Sequence, residues 1–286
     1  MHLASPDLCR RVGECLETNV PPAVYARDAV QALDEAAVGK GVVLSCAYLY
    51  GMRSLHLSGE DVARFTRLEN EFTAAEVRQF PSRLVGFLSV DPLQPSALDE
   101  LEYWRGDPVF RGLKLHLTAS GVDLHRARDR LLLAKVLAAA SSEHLSLVIH
   151  LGGGAFGPKE AELFITKVLP SAGVSWVQVA HAAGGFPLVK DNHLLVLRTF
   201  ADHIYRGDPL TAHLLFDLSF VPAPGEDSTV AHDLLEQARR IGWDRFLFGS
   251  DFNVESPLAA VTRLRALGLS AQEWVALQTA CAPWVC

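Results

Sequence analysis

Three residues in this chain pair metal-site chemistry with the same kind of placement. His150, His181 and Asp251 each follow a short apolar run: Leu145–Ile149, Trp176–Ala180, and Phe246–Phe248 followed by Gly249 and Ser250. A continuous apolar run suits a parallel strand covered on both faces. A polar residue just past the C-terminal end of such a strand lies where α/β folds gather their chemistry. Two imidazoles and a carboxylate are together the ligand set of a metal site. Taken singly, each has a plainer reading. A lone histidine at a strand end is more often a hydrogen-bonded structural residue, and Asp251 is equally an N-cap, although Pro257 sets the next helix too far on for that.

Other polar residues join this set by position. Lys114 and His116 alternate with Leu113, Leu115 and Leu117, so both point to one face of their strand. If that face is the inner one, they are candidates to contact a negative group on a substrate; otherwise Lys114 ion-pairs with a neighbouring strand. Gly152–Gly154 and Gly184–Gly185 follow the two histidines and allow close backbone approach or tight turns. Neither opens a helix in the manner of a phosphate loop. Phe156, Phe186, Phe220 and Phe252 follow strand ends as candidate pocket walls. His56, His125, His144, His193, His203, His213 and His232 lie away from the strand ends and are read as structural.

The elements that must position these residues alternate regularly. Strand-like runs at 41–47, 83–90, 112–117, 145–150, 175–181, 213–219 and 245–249 are separated by helical spacing at 23–38, 58–80, 97–104, 128–141, 158–169, 191–204, 229–241, 257–267 and 271–281. Ser58 is the expected N-cap of the second of these helices, with Asp61 at the capping-box position. Strict alternation predicts a parallel sheet with right-handed crossovers, and this many units without a composition break predicts an α/β fold of the (β/α)8 TIM-barrel type. It would be one domain spanning residues 1–286. Seven strands are visible and the barrel needs eight, so the first must come from Met1–Ala4, truncated or absent in part, with His2 on it.

These residues resemble the amidohydrolase superfamily, in its amidohydrolase-related branch, which includes aminocarboxymuconate-semialdehyde decarboxylase-like proteins. The resemblance is carried by Gly86–Pro92, Gly112–His116, Val148–His150, His181–Gly185 and Gly249–Asp251, in that order. It implies one divalent metal ion, zinc or manganese, held by His2, His150 and Asp251. It also implies that His181 is either a further ligand or a hydrogen-bonding group beside the metal-bound water, orienting it or stabilising an oxyanion, with Asp251 as the proton acceptor. Lys114 and His116 stay candidates for substrate contact by their alternation alone. The chain departs from the family at its first strand, where His-x-His is expected and only His2 is present. The expectation is a start downstream of the true first codon, or the loss of one ligand and half a strand. The implied activity is hydrolysis of a small amide or lactone, with non-oxidative decarboxylation as the alternative and a metal-free, non-catalytic barrel as a third reading.

Composition narrows the setting. Twenty-six Lys and Arg against 33 Asp and Glu give a net charge of −7 without a basic block, which argues against nucleic-acid binding. The densest apolar run, Leu131–Leu151, is interrupted by Lys135, Glu143 and His144, so no membrane span is expected. Five cysteines with no CxxC pair and no secretory pattern at the N-terminus suggest reduced thiols in the cytoplasm. The expected partner is a small-molecule substrate. A homodimer is also in keeping with the family.

Overall fold

The computed structural model describes residues 1–15, 22–152, 156–184, 190–221 and 228–286. Eight parallel strands run in sequence order: β1 (His2–Leu3), β2 (Gly41–Ser45), β3 (Leu84–Ser89), β4 (Phe110–His116), β5 (Ser146–His150), β6 (Val177–Val179), β7 (Leu214–Asp217) and β8 (Phe246–Leu247). Between them lie α1 (Pro6–Cys15), α2 (Ala26–Glu35), α3 (Gly59–Arg78), α4 (Ala97–Tyr103), α5 (Ala127–Ser142), α6 (Pro158–Leu163), α7 (Lys190–Tyr205) and α8 (Ser228–Ile241), with α9 (Pro257–Ala266) and α10 (Ala271–Thr279) after β8. This is the (β/α)8 architecture. The strands are largely apolar on both faces because helices cover the outside and side chains of other strands fill the inside. Phe87, Leu113, Leu115, Leu147, Ile149, Val179 and Phe216 are wholly buried.

The helix ends follow local chemistry. Ser58 caps α3 by accepting the Asp61 N–H at 3.1 Å, and Ser256 caps α9 with Pro257 in its first turn. Asp251 is therefore no helix cap. Helix α6 is shorter than its spacing predicts: the chain passes through a π-helical turn at Phe164–Val168 into a 3-10 turn at Leu169–Ala172. Pro170 explains the change, since its ring clashes with the preceding turn and it brings no N–H. Helix α1 was not expected. Its signals are present, because Ser5 accepts the Leu8 N–H at 3.2 Å and Pro6 stands in the first turn.

The first strand lies within Met1–Ala4, as the strand count requires. β1 has two ladder partners on β2, His2 with Leu44 and Leu3 with Ser45, and β8 has two on β7. No ladder joins β8 to β1 among the described residues. That seam is bridged by the His2 N–H, which donates to the Phe252 carbonyl, and by the His2 and Asp251 side chains. Below it lies a cavity of about 500 Å³, lined by Met1, Val42, Leu247, Phe248 and Trp284 and reaching inward to Lys114. Trp284 closes the bottom of the barrel edge-to-face against Phe87, with ring centroids 5.6 Å apart.

The expectation of five unpaired thiols needs correction. Cys281 and Cys286 form a disulfide, their Cα atoms 6.2 Å apart and within the span that such a bond bridges. Cys9, Cys15 and Cys46 are free. Their spacing of five lies outside the CxxC pattern. Among the described residues, no helix is long and apolar enough to cross a membrane.

Candidate functional site

A pocket of about 240 Å³ opens at the C-terminal ends of the strands and is lined by His2, Tyr48, Lys114, His116, Thr118, His150, Gly152, His181, Phe220, Asp251 and Val254. All six residues singled out in the sequence therefore meet in one place. His116 and His150 are ladder partners at the ends of β4 and β5, and their rings stack with centroids 3.9 Å apart. His181 meets His150 edge-on at 4.8 Å. None of the other seven histidines lines the pocket.

Backbone strain concentrates here. His181, Ala182, Ala183, Phe220 and Asp251 all have φ between 48° and 68°. This is the left-handed region, which non-glycine residues avoid at a cost of roughly 1 kcal/mol or more each. Strand β6 stops at Val179 for this reason: the chain turns through Ala180–Ala183 and sets His181 facing the axis. Buried His193 on α7 supports the turn, its Nε2–H donating to the Ala182 carbonyl at 2.9 Å.

Hydrogen bonds fix what each group can offer. The Ser219 hydroxyl donates to Asp217 and so accepts the His181 Nδ1–H at 2.7 Å, which leaves the His181 Nε2 lone pair free. Asp217 also accepts from the Ser219 N–H at 3.0 Å, the His181 N–H at 3.2 Å and Gln178 Nε2 at 2.7 Å. His116 accepts the Ala119 N–H at Nδ1 (3.1 Å), so its Nε2 carries a proton and acts as a donor. His150 Nε2 donates to the Gly152 carbonyl at 2.7 Å. His2 Nδ1 lies 3.2 Å from the Leu44 carbonyl and 3.3 Å from Cys46 Sγ, while its Nε2 faces Asp251 Oδ1 at 3.2 Å.

Charge states follow from burial and neighbours. Burial holds the imidazoles of His2 and His150 below their ordinary values, and His116 falls to about 2 through burial and the nearby Lys114. Burial alone would raise Asp251, but the His2 hydrogen bond and the fields of His2 and His181 outweigh it and keep the carboxylate ionised. Lys114, 2% exposed, is pushed down by burial against the pull of Asp251 and Asp217. No salt bridge to it is found among the described residues.

The sequence reading missed Tyr48, Asp217 and Ser219. Asp217 and Ser219 stand at the end of β7, the same kind of position that marked His150, so the strand-end rule applied to every strand would have found them. Tyr48 carries no such signal, because it lies in a 3-10 turn after β2, its ring centroid 5.0 Å from that of His116. Phe220 walls the pocket as expected, its ring 5.9 Å from His181. Phe156 and Phe252 pack against core clusters instead. Phe186 and the glycines 153, 154 and 185 lie outside the described residues.

The chain is thus a parallel eight-stranded barrel with imidazoles and a carboxylate at its C-terminal mouth. The chain belongs to the Amidohydro_2 family of amidohydrolases, whose model matches residues 47–280. No curated protein sequence matches it. Among solved structures it resembles an amidohydrolase from Burkholderia multivorans with bound zinc (15% identity, 97% of this chain and 94% of that one, TM-score 0.62). It also resembles a putative 2-pyrone-4,6-dicarboxylic acid hydrolase from Pseudomonas putida (17%, 96% and 91%, 0.61). A third likeness is to 5-carboxyvanillate decarboxylase from Novosphingobium aromaticivorans complexed with manganese and 4-hydroxy-3-methoxy-5-nitrobenzoic acid (14%, 99% and 84%, 0.60). At these identities the likeness is one of fold.

The donor set fits a divalent metal in kind. Neutral imidazoles and an ionised carboxylate are the protonation states that coordination requires. As the hydrogen-bond donor to Asp251, His2 carries its proton on Nε2, 3.2 Å from Oδ1; with that proton on Nδ1 instead, toward the Leu44 carbonyl 3.2 Å away, Nε2 and Oδ1 would be two acceptors facing each other. A cation would reconcile these two acceptors. The positions are not yet convergent. Among the described residues, only His232, Asp233 and Glu236, on the outer part of α8, bring three donor atoms within 4.8 Å of one another. In the pocket, His150 Nε2 is engaged by Gly152.

Proposed function

We propose that this chain is a metal-dependent hydrolase of a small amide or lactone that carries a negative group. The observation that supports this most is the ionised Asp251 facing His2, with His150 and His181 around the same small pocket. One divalent ion, zinc or manganese, would be held by His2, Asp251 and His150, the last exchanging its bond to Gly152 for the metal. When bound, such an ion supplies Lewis acidity and an acidified water.

The chain's own residues do the rest. The second oxygen of Asp251 is placed to accept a proton, and the His181 Nε2 lone pair, set by the Asp217–Ser219 relay, accepts a hydrogen bond from the attacking water. The Nε2–H of His116 donates to the substrate carbonyl as negative charge develops on it. Lys114 anchors the anionic group, and a pocket of about 240 Å³ admits only a small molecule.

A second reading, non-oxidative decarboxylation, is favoured by the buried and unpaired Lys114, a ready anchor for a carboxylate beside Asp251. The two are separated by supplying zinc- or manganese-loaded protein with carboxylated lactones and amides, and with hydroxylated benzoates. Ring opening or ammonia release supports hydrolysis. Carbon dioxide release supports decarboxylation. Failure to bind either metal, together with no turnover, would leave the metal-free binding barrel and end the enzyme reading.

A further inference from the structure

Strand β1 holds its histidine by few backbone pairs. Two ladder pairs fix His2 and Leu3, whereas His116 and His150 end strands of seven and five residues. Besides the direct contacts of His2 with Phe252, Leu44 and Asp251, the contacts just past β1 bear on where His2 points. There the chain makes a two-bond bridge, Ala4 to Val24 (3.3 and 3.0 Å), and then meets a side chain from a distant helix. Glu69 of α3 accepts the Ser5 N–H at 3.0 Å through one oxygen and the Ser5 hydroxyl at 2.5 Å through the other. The Ser5 oxygen meanwhile caps α1 by accepting the Leu8 N–H. One carboxylate thus fastens the exit of β1 and the start of the next helix.

Glu69 is 1% exposed, and no salt bridge to it is found among the described residues. A buried carboxylate without a cation is costly, so a structural benefit from charge pairing does not explain it. Its neighbour on α3 performs a parallel task. Asn70, wholly buried, accepts the Ser89 N–H and donates to the Ser89 carbonyl, both at 3.0 Å, and so fastens the end of β3. Adjacent buried polar residues on one helix each grip backbone at a strand end on the pocket side of the barrel.

We propose that Glu69 is a positioning residue, holding His2 in the pocket through Ser5. This rests on the reading above only in taking His2 as part of the site. Glu69→Ala should shift the His2 ring resonances in an NMR spectrum, assigned by comparison with His2→Gln, and raise the rate of His2 modification by diethyl pyrocarbonate about fivefold as the strand opens locally. Glu69→Gln, which can still accept from the Ser5 N–H and donate to its hydroxyl, should restore both. Glu100→Gln is the control. Glu100 is likewise buried and bonds to Arg67, Asn70 and Trp104, so its loss should lower Tm without moving His2. If Glu69→Ala does not fold, Ser5→Ala removes one bond from the other side and should change His2 in the same direction by less. An unchanged His2 in whichever of these two variants folds, or an equal change in Glu100→Gln, overturns the proposal. If His2 moves while metal content and turnover do not, the positioning role stands and the place of His2 in the chemistry falls.

Discussion

The pocket is assembled from two halves held by different means. On the β4–β5 side, five consecutive register pairs run from Gly112–Ser146 to His116–His150, and the stacked rings of His116 and His150 are the last rung of that ladder. On the β8–β1 side, each strand has two residues, no ladder joins them among the described residues, and the His2 side chain meets that of Asp251. Where backbone pairing is dense, a side chain's place follows from its register. Where it is sparse, individual polar contacts and strained turns must do the same work.

The first way to test this contrast is at the seam. Asp251→Asn should reduce turnover by roughly 10²–10⁴-fold, the usual contribution of a placed proton acceptor, with an unchanged circular-dichroism spectrum. Retained activity would remove Asp251 from the chemistry. On the ladder side the sign should reverse for Lys114→Met: removing a buried cation that has no salt bridge should raise stability by about 1–4 kcal/mol while weakening binding of anionic substrates. A fall in Tm would mean that Lys114 has a structural partner.

Glu69 tests the seam by pH. Its carboxyl is raised to about 7 by burial, against the Ser5 hydrogen bonds, from an ordinary value of 4.5. The folded state therefore holds a proton that the unfolded state has released between these values. The stabilisation is full below about pH 4.5 and is lost as pH rises to about 7, by up to about 3 kcal/mol. Urea titrations across that window should show this slope in the native chain and lose it in Glu69→Gln. The smallest effect is expected at Asp217→Asn. The relay to Ser219 and His181 would lose its charged acceptor, at about 2 kcal/mol and a few degrees of Tm, with the His181 ring signal shifted.

Much of the ladder half was legible in the sequence. The runs ending in His116 and His150 needed only period-two alternation and the rule that chemistry gathers at strand ends. His181 and Asp251 were found by the same rule, but their left-handed backbone was not, because nothing in Ala180–Ala183 or Ser250–Phe252 marks a strained turn. The Asp217–Ser219 relay obeys that rule too and was passed over. Tyr48 and Glu69 gave no local signal. One lies in a turn, and the other is one of several acids on a long amphipathic helix, distinguished only by what packs against it.

The sequence by itself determined the regular alternation of strand and helix and the identity of the strand-end residues, because hydrophobic periodicity and chain punctuation are local properties. Only the tertiary structure decided which nitrogen of each histidine is free, that Asp251 stays ionised although buried, that Lys114 lines the pocket, and that Glu69 reaches Ser5 from α3. These depend on contacts between residues far apart in the chain and on the low-dielectric interior that folding creates around them.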